Sequence, residues 1–283
     1  MHRILIQLDT DPQPSVFDRV VAVDAGVEQL FSYGGVTPAT VTPLVHGAIF
    51  TRGPADLKHT AIFVGGSDVP AGEALVKTIR KAFFGPMRVS VMMDSNGCNT
   101  TAAAAVRAAA KHIELKDARA LVLGGTGPVG QRAALLLAGH GAFVTVGSRS
   151  RDKAAAVCEA IQSKLHNAQV EPVSGDDAAA AIADTQVVIA AGATGVQFLS
   201  ADQWRSSPSL RVAIDLNAVP PAGLEGIDVM AKAAMQGPIA CYGAIGVGGA
   251  KMKLHKRALQ RLFEQNDVVL DTTEIYDLAS ELR

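Results

Sequence analysis

Arg119-Ala120-Leu121-Val122-Leu123-Gly124-Gly125-Thr126-Gly127-Pro128-Val129-Gly130 is an apolar run of buried-strand character that empties into a glycine-rich turn. A helix-forming run, residues 131–139, follows directly. Strand, Gly125-x-Gly127-x-x-Gly130 and helix, in that order, form the context that a dinucleotide-binding turn requires. Gly125 is expected to permit the tight turn, Gly127 to let the backbone approach a pyrophosphate, and Gly130 to let helix pack on strand. Thr126, Pro128 and Val129 complete the phosphate-facing turn, where the free N–H groups of the helix N-terminus favour an anion.

The next strand, predicted over 142–147, ends in Ser148-Arg149-Ser150-Arg151. An NAD-specific site places a carboxylate there to accept from the ribose hydroxyls. A carboxylate would repel a 2′-phosphate, whereas Arg149 with Ser148 can neutralise and hydrogen-bond one. The reading is therefore NADP, with NAD use in addition as its variant. Arg149 and Arg151 as plain solvated loop charges, with Asp152 beside them, is the open alternative.

Around this centre, strand-like and helix-like runs alternate along the chain. In the first hundred residues, strands are expected at 3–8, 47–51, 60–65 and 88–92, and helices at 15–24, 71–84 and 101–113. From 119 onward the pattern is βαβαβ: a strand to 124, a helix to 139, a strand at 143–147 and a helix at 152–165. A strand near Val170, a short helix at 176–183 and strands at 186–191 and 210–216 follow. The glycine-rich stretch 243–249 reads as a loop before a basic amphipathic helix at 250–263, and a last helix covers 273–282. Alternation of this kind implies an α/β fold with a doubly wound parallel sheet and right-handed crossovers. Two lobes are expected. Residues 1–100, completed by 251–283, form an α/β substrate lobe, and 101–250 form the Rossmann-type nucleotide domain.

The 283 residues are 48% hydrophobic and 19% charged with a net charge of −1, which suits a globular enzyme and offers no field for nucleic acid or an anionic membrane. Cys98, Cys158 and Cys241 are far apart, which suits a reducing cytosol and argues against a disulfide framework or a metal centre. No stretch has the length and apolarity of a membrane span or the layout of a signal peptide.

The same chain resembles the NADP-dependent methylene-tetrahydromethanopterin dehydrogenases of one-carbon metabolism, relatives of the folate methylene dehydrogenase/cyclohydrolases. The resemblance runs the whole length. It rests on Gln7-Leu-Asp-Thr-Asp11, Pro14-Ser-Val-Phe-Asp18, Tyr33-Gly-x-Val-Thr-Pro38, Thr60-Ala-Ile-Phe-Val-Gly-Gly66 and Phe83-Phe-Gly-Pro86. It continues through Asp94-Ser-Asn-Gly-x-Asn-Thr-Thr101, the turn at 125–130, Asn217-Ala-x-Pro-Pro221 and Gly243-Ala-x-Gly-x-Gly-Gly-x-Lys-x-Lys-Leu-His255. It implies two lobes around a pterin cleft, a reduced pterin substrate, a cytosolic location and a homo-oligomer. The bifunctional folate enzymes carry a Tyr followed four residues later by a catalytic Lys that serves hydrolysis. Tyr33 is followed at that spacing by Thr37, so the resemblance implies a dehydrogenase without cyclohydrolase activity.

Site residues follow on the same terms. Asp94, Asn96, Asn99 and Thr100 occupy a polar turn between strand and helix, where Asn and Asp can read the amide and amine edge of a pterin. Asn99 or Thr100 as a simple helix cap is the alternative. Asp9 and Asp11 end the first strand, as pterin ligands or as a turn. Lys251, placed in the first turn of its helix, would oppose the helix dipole there, which favours a substrate contact over a local one. Lys251 and Asp94 are the candidate catalytic residues. His255 is read as a packed or surface histidine. Ala191, Gly192 and Ala193 are expected beside the ribose or nicotinamide, Asn217 on the carboxamide, and Gly246 where backbone nears the nicotinamide. A methylene-tetrahydrofolate dehydrogenase and a non-catalytic NADP-binding sensor are the rival functions. A shikimate-type dehydrogenase shares the plan but lacks its Lys–Asp pair here.

Overall fold

A computed structural model describes residues 1–175 and 177–282. In chain order the elements begin β1 (Ile4–Asp9), α1 (Val16–Asp24), β2 (Gln29–Tyr33), α2 (Val41–Ile49), β3 (Thr60–Gly65), α3 (Val69–Ala82), β4 (Ser90–Met93) and α4 (Cys98–Ala109). Next come β5 (Arg119–Leu123), α5 (Pro128–Gly139), β6 (Phe143–Ser148), α6 (Arg151–Lys164), β7 (Val170–Ser174), α7 (Ala178–Ala181), β8 (Val187–Ala190), α8 (Ala201–Arg205) and β9 (Val212–Asp215). The chain closes with β10 (Lys232–Gln236), β11 (Ile239–Tyr242), α9 (Ala244–Arg261), β12 (Val269–Leu270) and α10 (Thr272–Ala279). Asp176, the expected start of the short helix there, lies outside the described residues.

The chain forms two compact units, Met1–Thr100 with Met252–Arg283, and Thr101–Lys251. The first holds a five-stranded parallel sheet in the order β12-β4-β3-β1-β2. Its central β3 is buried at every residue, as a strand covered on both faces must be. The second holds a seven-stranded sheet, β10-β11-β9-β8-β5-β6-β7, parallel except for the β10–β11 hairpin. In each sheet the strand order reverses beside one strand, β1 in the first and β5 in the second. Such switch points open a crevice at the carboxyl ends of the strands.

Several sequence expectations are corrected. The predicted strand at 47–51 belongs partly to α2, whose buried Val41, Val45, Ala48 and Ile49 fall at helical spacing. A short apolar run does not by itself distinguish the two states. Strand β2 escapes sequence reading because its alternation leaves Gln29, Phe31 and Tyr33 exposed. The hairpin β10–β11 also escapes, since Lys232–Gln236 is mostly uncovered edge. The glycine-rich stretch 243–249 is helical: α9 starts at Ala244, so Lys251 sits well inside the helix and the first-turn dipole argument for it lapses.

Candidate functional site

At the second unit's switch point, β5 turns into α5 through Gly124-Gly125-Thr126-Gly127. The left-handed conformation falls on Gly124 (φ 68°), one residue before the motif begins. Gly125 is required for space: a Cβ there would lie 2.6 Å from Val146 Cγ1. A Cβ on Gly130 would lie 2.5 Å from the Gly124 carbonyl oxygen, so helix and turn meet at backbone distance. The turn is tied by Gly125 N–H to the Gly147 carbonyl (2.9 Å), Gly127 N–H to the Gly124 carbonyl (2.9 Å) and Gln131 Nε2 to the Thr126 carbonyl (2.7 Å). Gly127 is the N-cap and has no side chain to bond the first helical N–H groups, and Pro128 follows at the first position. The N-terminus is thus left for an anion.

Strand β6 delivers Ser148 next to this turn, its hydroxyl 3.3 Å from that of Thr126. Arg149 is exposed and forms no ion pair among the described residues, Asp152 included. A helix N-terminus with side-chain-free glycines and an unpaired guanidinium one strand away fit a pyrophosphate with a 2′-phosphate. Ala191 continues β8, its N–H bonded to Leu123 (2.9 Å), and Ala193 is exposed. Gly192 is a packing residue, since a Cβ there would meet the Phe198 ring at 2.1 Å.

Asn217 does not reach outward as expected. Its Nδ2 donates to Pro221 (2.9 Å) and its Oδ1 accepts from Val219 N–H (3.1 Å), which uses the side chain inside its own loop. Asp215 anchors the same loop, accepting from Asn217 N–H and Leu224 N–H, each at 2.9 Å. Burial pushes its carboxyl above the ordinary value, against those hydrogen bonds. Gly246 likewise serves packing: a Cβ would fall 1.7 Å from the Ala231 carbonyl oxygen.

In the first unit the predicted polar residues come together, but mostly on one another. Asp94 is buried. Its Oδ1 accepts from the N–H groups of Asn99 (2.9 Å) and Thr100 (3.0 Å), and its Oδ2 accepts from Thr100 Oγ1 (2.6 Å). Asp94 is therefore the cap of α4, the role weighed for Asn99 or Thr100. Asn99 is buried too, donating to Met93 (2.7 Å) and Asp271 (3.1 Å) and accepting from Thr272 Oγ1 (2.8 Å). That network ties α4 to α10 and leaves Asn99 and Thr100 no spare group for a ring edge. Asp9 is buried and holds the loop after β1, accepting from Asp11 N–H (2.9 Å) and Ser15 N–H (3.0 Å). Asp11 is only half-buried and spans the switch point to Ser67, accepting from its N–H (3.0 Å) and hydroxyl (2.8 Å). Ser67 carried no sequence signal, since no short motif marks a lone serine after a strand. Asn96 is exposed, at φ 53°, at the rim of the same strand ends. His255 is buried, stacked on Phe63 with ring centroids 5.6 Å apart and 4.0 Å from Asp94 Oδ2, a packed histidine where the sequence leaves packed or surface open.

Residues 16–96 match the family described as methylene-tetrahydromethanopterin dehydrogenase, N-terminal, and residues 120–202 match the saccharopine dehydrogenase NADP binding domain. The chain is 44% identical over 284 residues to the bifunctional protein MdtA of Methylorubrum extorquens, covering 99% of both chains. It is 35% identical over 281 residues to the NAD(P)-dependent methylenetetrahydromethanopterin dehydrogenase of the same organism, covering 95% of this chain and 94% of that one. Among solved structures it is similar in fold to a shikimate 5-dehydrogenase from Mycobacterium fortuitum, with a TM-score of 0.56 at 15% identity over 99% of this chain and 98% of the other. With similarity of that extent over the full length, the chain belongs to the methylene-tetrahydromethanopterin dehydrogenase family of oxidoreductases.

Proposed function

We propose that this protein takes a hydride from the methylene bridge of methylene-tetrahydromethanopterin, giving the methenyl pterin, with NADP+ as acceptor. The observation that carries the reading is the turn at Gly124–Gly130 set beside the unpaired Arg149, in a chain 44% identical to a family relative along its length. When bound, NADP+ supplies the electrophilic ring that accepts the hydride.

The bridge carbon lies between two nitrogens whose lone pairs expel the hydride and share the resulting cation. No proton leaves, so the chain need not furnish a general base. Its task is alignment and an electrostatic surround for the cation. Thr126, Gly127, Pro128 and Val129 would hold the pyrophosphate, Ser148 and Arg149 the 2′-phosphate, and Ala191 and Ala193 would pass beside the ribose. Asp94 and Asp9 act one step back. By fixing the loops after β4 and β1 they position Asn96 and Asp11, two polar side chains at those strand ends that keep exposed surface. Lys251, half-buried within α9, is the cation assigned to a pterin oxygen. The Thr37 found where the folate enzymes have a lysine fits dehydrogenation without hydrolysis.

A cytosolic location and a homo-oligomer belong to the same reading; three free buried cysteines suit a reducing compartment. Among the described residues, no helix is long and apolar enough to cross a membrane. The test is steady-state turnover at 340 nm with methylene-tetrahydromethanopterin and methylene-tetrahydrofolate, each with NADP+ and NAD+. Fastest turnover with the first pterin and NADP+ is expected. Coenzyme binding without turnover of either pterin would leave a sensor as the better account.

A further inference from the structure

The first unit carries a cavity on the face of its sheet, built from residues that the proposed reaction does not use. It measures about 480 Å3, within the range of small-ligand pockets. Its floor is Ile4 and Ile6 of β1 with Phe31 and Tyr33 of β2, which the parallel register places side by side. Because β2 is an edge strand, Phe31 and Tyr33 stay 46% and 41% exposed, a large aromatic surface left uncovered. One wall is α2, and at its centre stands Gly47. Glycine is the poorest helix former after proline. Packing does not demand it here, since a Cβ on Gly47 would find nothing within 4 Å. What the glycine does is keep the wall open.

Arg52 lines the same cavity just past the end of α2. Its Nη1 is buried with no hydrogen-bond partner, and Arg52 forms no ion pair among the described residues. A buried guanidinium nitrogen left unsatisfied is costly unless an acceptor arrives. Positive charge gathers nearby as well: His59 is held below its ordinary pKa by burial first and then by the charges of the N-terminus, Lys58 and Arg52, with Asp56 opposing them.

We propose that this cavity binds a small flat apolar carboxylate, its ring system lying on Phe31 and Tyr33 against Gly47 and its carboxylate paired with Arg52. The carboxylate can belong to a free small molecule or to the tail of the pterin carrier, and the experiment separates them. The intact protein is titrated with 2-naphthoate, followed by calorimetry, beside uncharged 2-naphthalenemethanol. Naphthoate binding in the sub-millimolar range is expected, with the alcohol weaker. Arg52→Met should weaken naphthoate about tenfold or more, the scale of a lost charge-assisted bond, and leave the alcohol unchanged. Gly47→Leu should abolish both by filling the cavity. If reduced pterin displaces naphthoate and its KM rises in both variants at constant kcat, the carboxylate is the carrier's own. If pterin does not compete and KM is unchanged, it is that of a separate ligand. Equal naphthoate affinity in wild type and Arg52→Met overturns the proposal even if Gly47→Leu fails to fold. So does a wild-type dimer that ignores naphthoate and dissociates on Gly47→Leu, since a second copy then covers this face.

Discussion

The two switch points of this molecule are built on opposite plans. At β5 the crevice is made of backbone: glycines whose missing Cβ atoms let turn, helix and neighbouring strands approach, and an N-terminus with no side chain spent on it. At β1 and β4 it is made of side chains, and nearly all of them are spent on one another. Asp94, Asn99 and Thr100 close a network with the buried Thr272 and the exposed Asp271, and Asp9 holds its own loop. A nucleotide's phosphates can be held by peptide N–H groups at a fixed geometry. A pterin edge needs side chains on loops that do not move, and most of the polar residues there serve that rigidity. Polar residues at strand ends are therefore weaker evidence of ligand contact than glycines in a turn.

The sharpest test of this contrast is Asp94→Ala. It strands two buried N–H groups and one hydroxyl at about 1–3 kcal/mol each, so a total near 4 kcal/mol is expected. Urea unfolding would show the loss, while NADP affinity of the folded fraction should stay unchanged. A stable Asp94→Ala protein that has lost only turnover would make Asp94 a catalytic residue and erase the distinction drawn here.

That contrast also explains what the sequence disclosed. The second unit was legible because its constraints are local: strand, Gly125-x-Gly127-x-x-Gly130 and helix are contiguous, and Arg149 follows within one strand. Even there the motif does not say which residue takes positive φ, and it is Gly124, one position before the motif begins. The first unit's network joins Asn99 to Asp271 across 172 positions, which no spacing rule anticipates. Helix α9 hid its true start for a related reason. Gly243 and Gly246 look like loop, but the structure uses them to seat helix against the 228–232 backbone. Strand β2 was missed because its exposed face, including Phe31 and Tyr33, breaks the pattern of a covered strand.

On the backbone-built side, Arg149→Glu replaces the guanidinium proposed to hold the 2′-phosphate together with Ser148. A loss of about 2 kcal/mol, roughly thirtyfold in NADP Kd, is expected, with NAD affinity equal or better and stability within about 0.5 kcal/mol. Equal NADP binding in the variant would return Arg149 to the status of a solvated charge.

Asp215 occupies an intermediate position, a buried carboxylate that shapes a loop of the nucleotide unit. Its carboxyl titrates above 3.8 in the fold and near 3.8 in the unfolded chain, so the native state holds the extra proton between those values. Stability should therefore fall as pH rises through that window, and Asp215→Asn should flatten this part of the profile. It should also cost about 1 kcal/mol at pH 7, because the amide leaves a backbone N–H donor unpaired. Urea midpoints at several pH values, wild type against variant, measure both effects.

A small stability effect is also expected at Asn96, and the variant tests whether its exposed side chain meets the substrate. Asn96 sits at φ 53°, where asparagine is tolerated and glycine is freer still, so Asn96→Gly removes the exposed amide without backbone strain. Its stability should match wild type within about 0.5 kcal/mol, unlike that of Asp94→Ala. If the exposed amide reads the pterin edge, KM for the pterin rises several-fold while NADP KM stays put. An unchanged pterin KM would mean that asparagine is kept at 96 for its φ alone, and that the ring is read by Asp11, Lys251 or peptide groups instead.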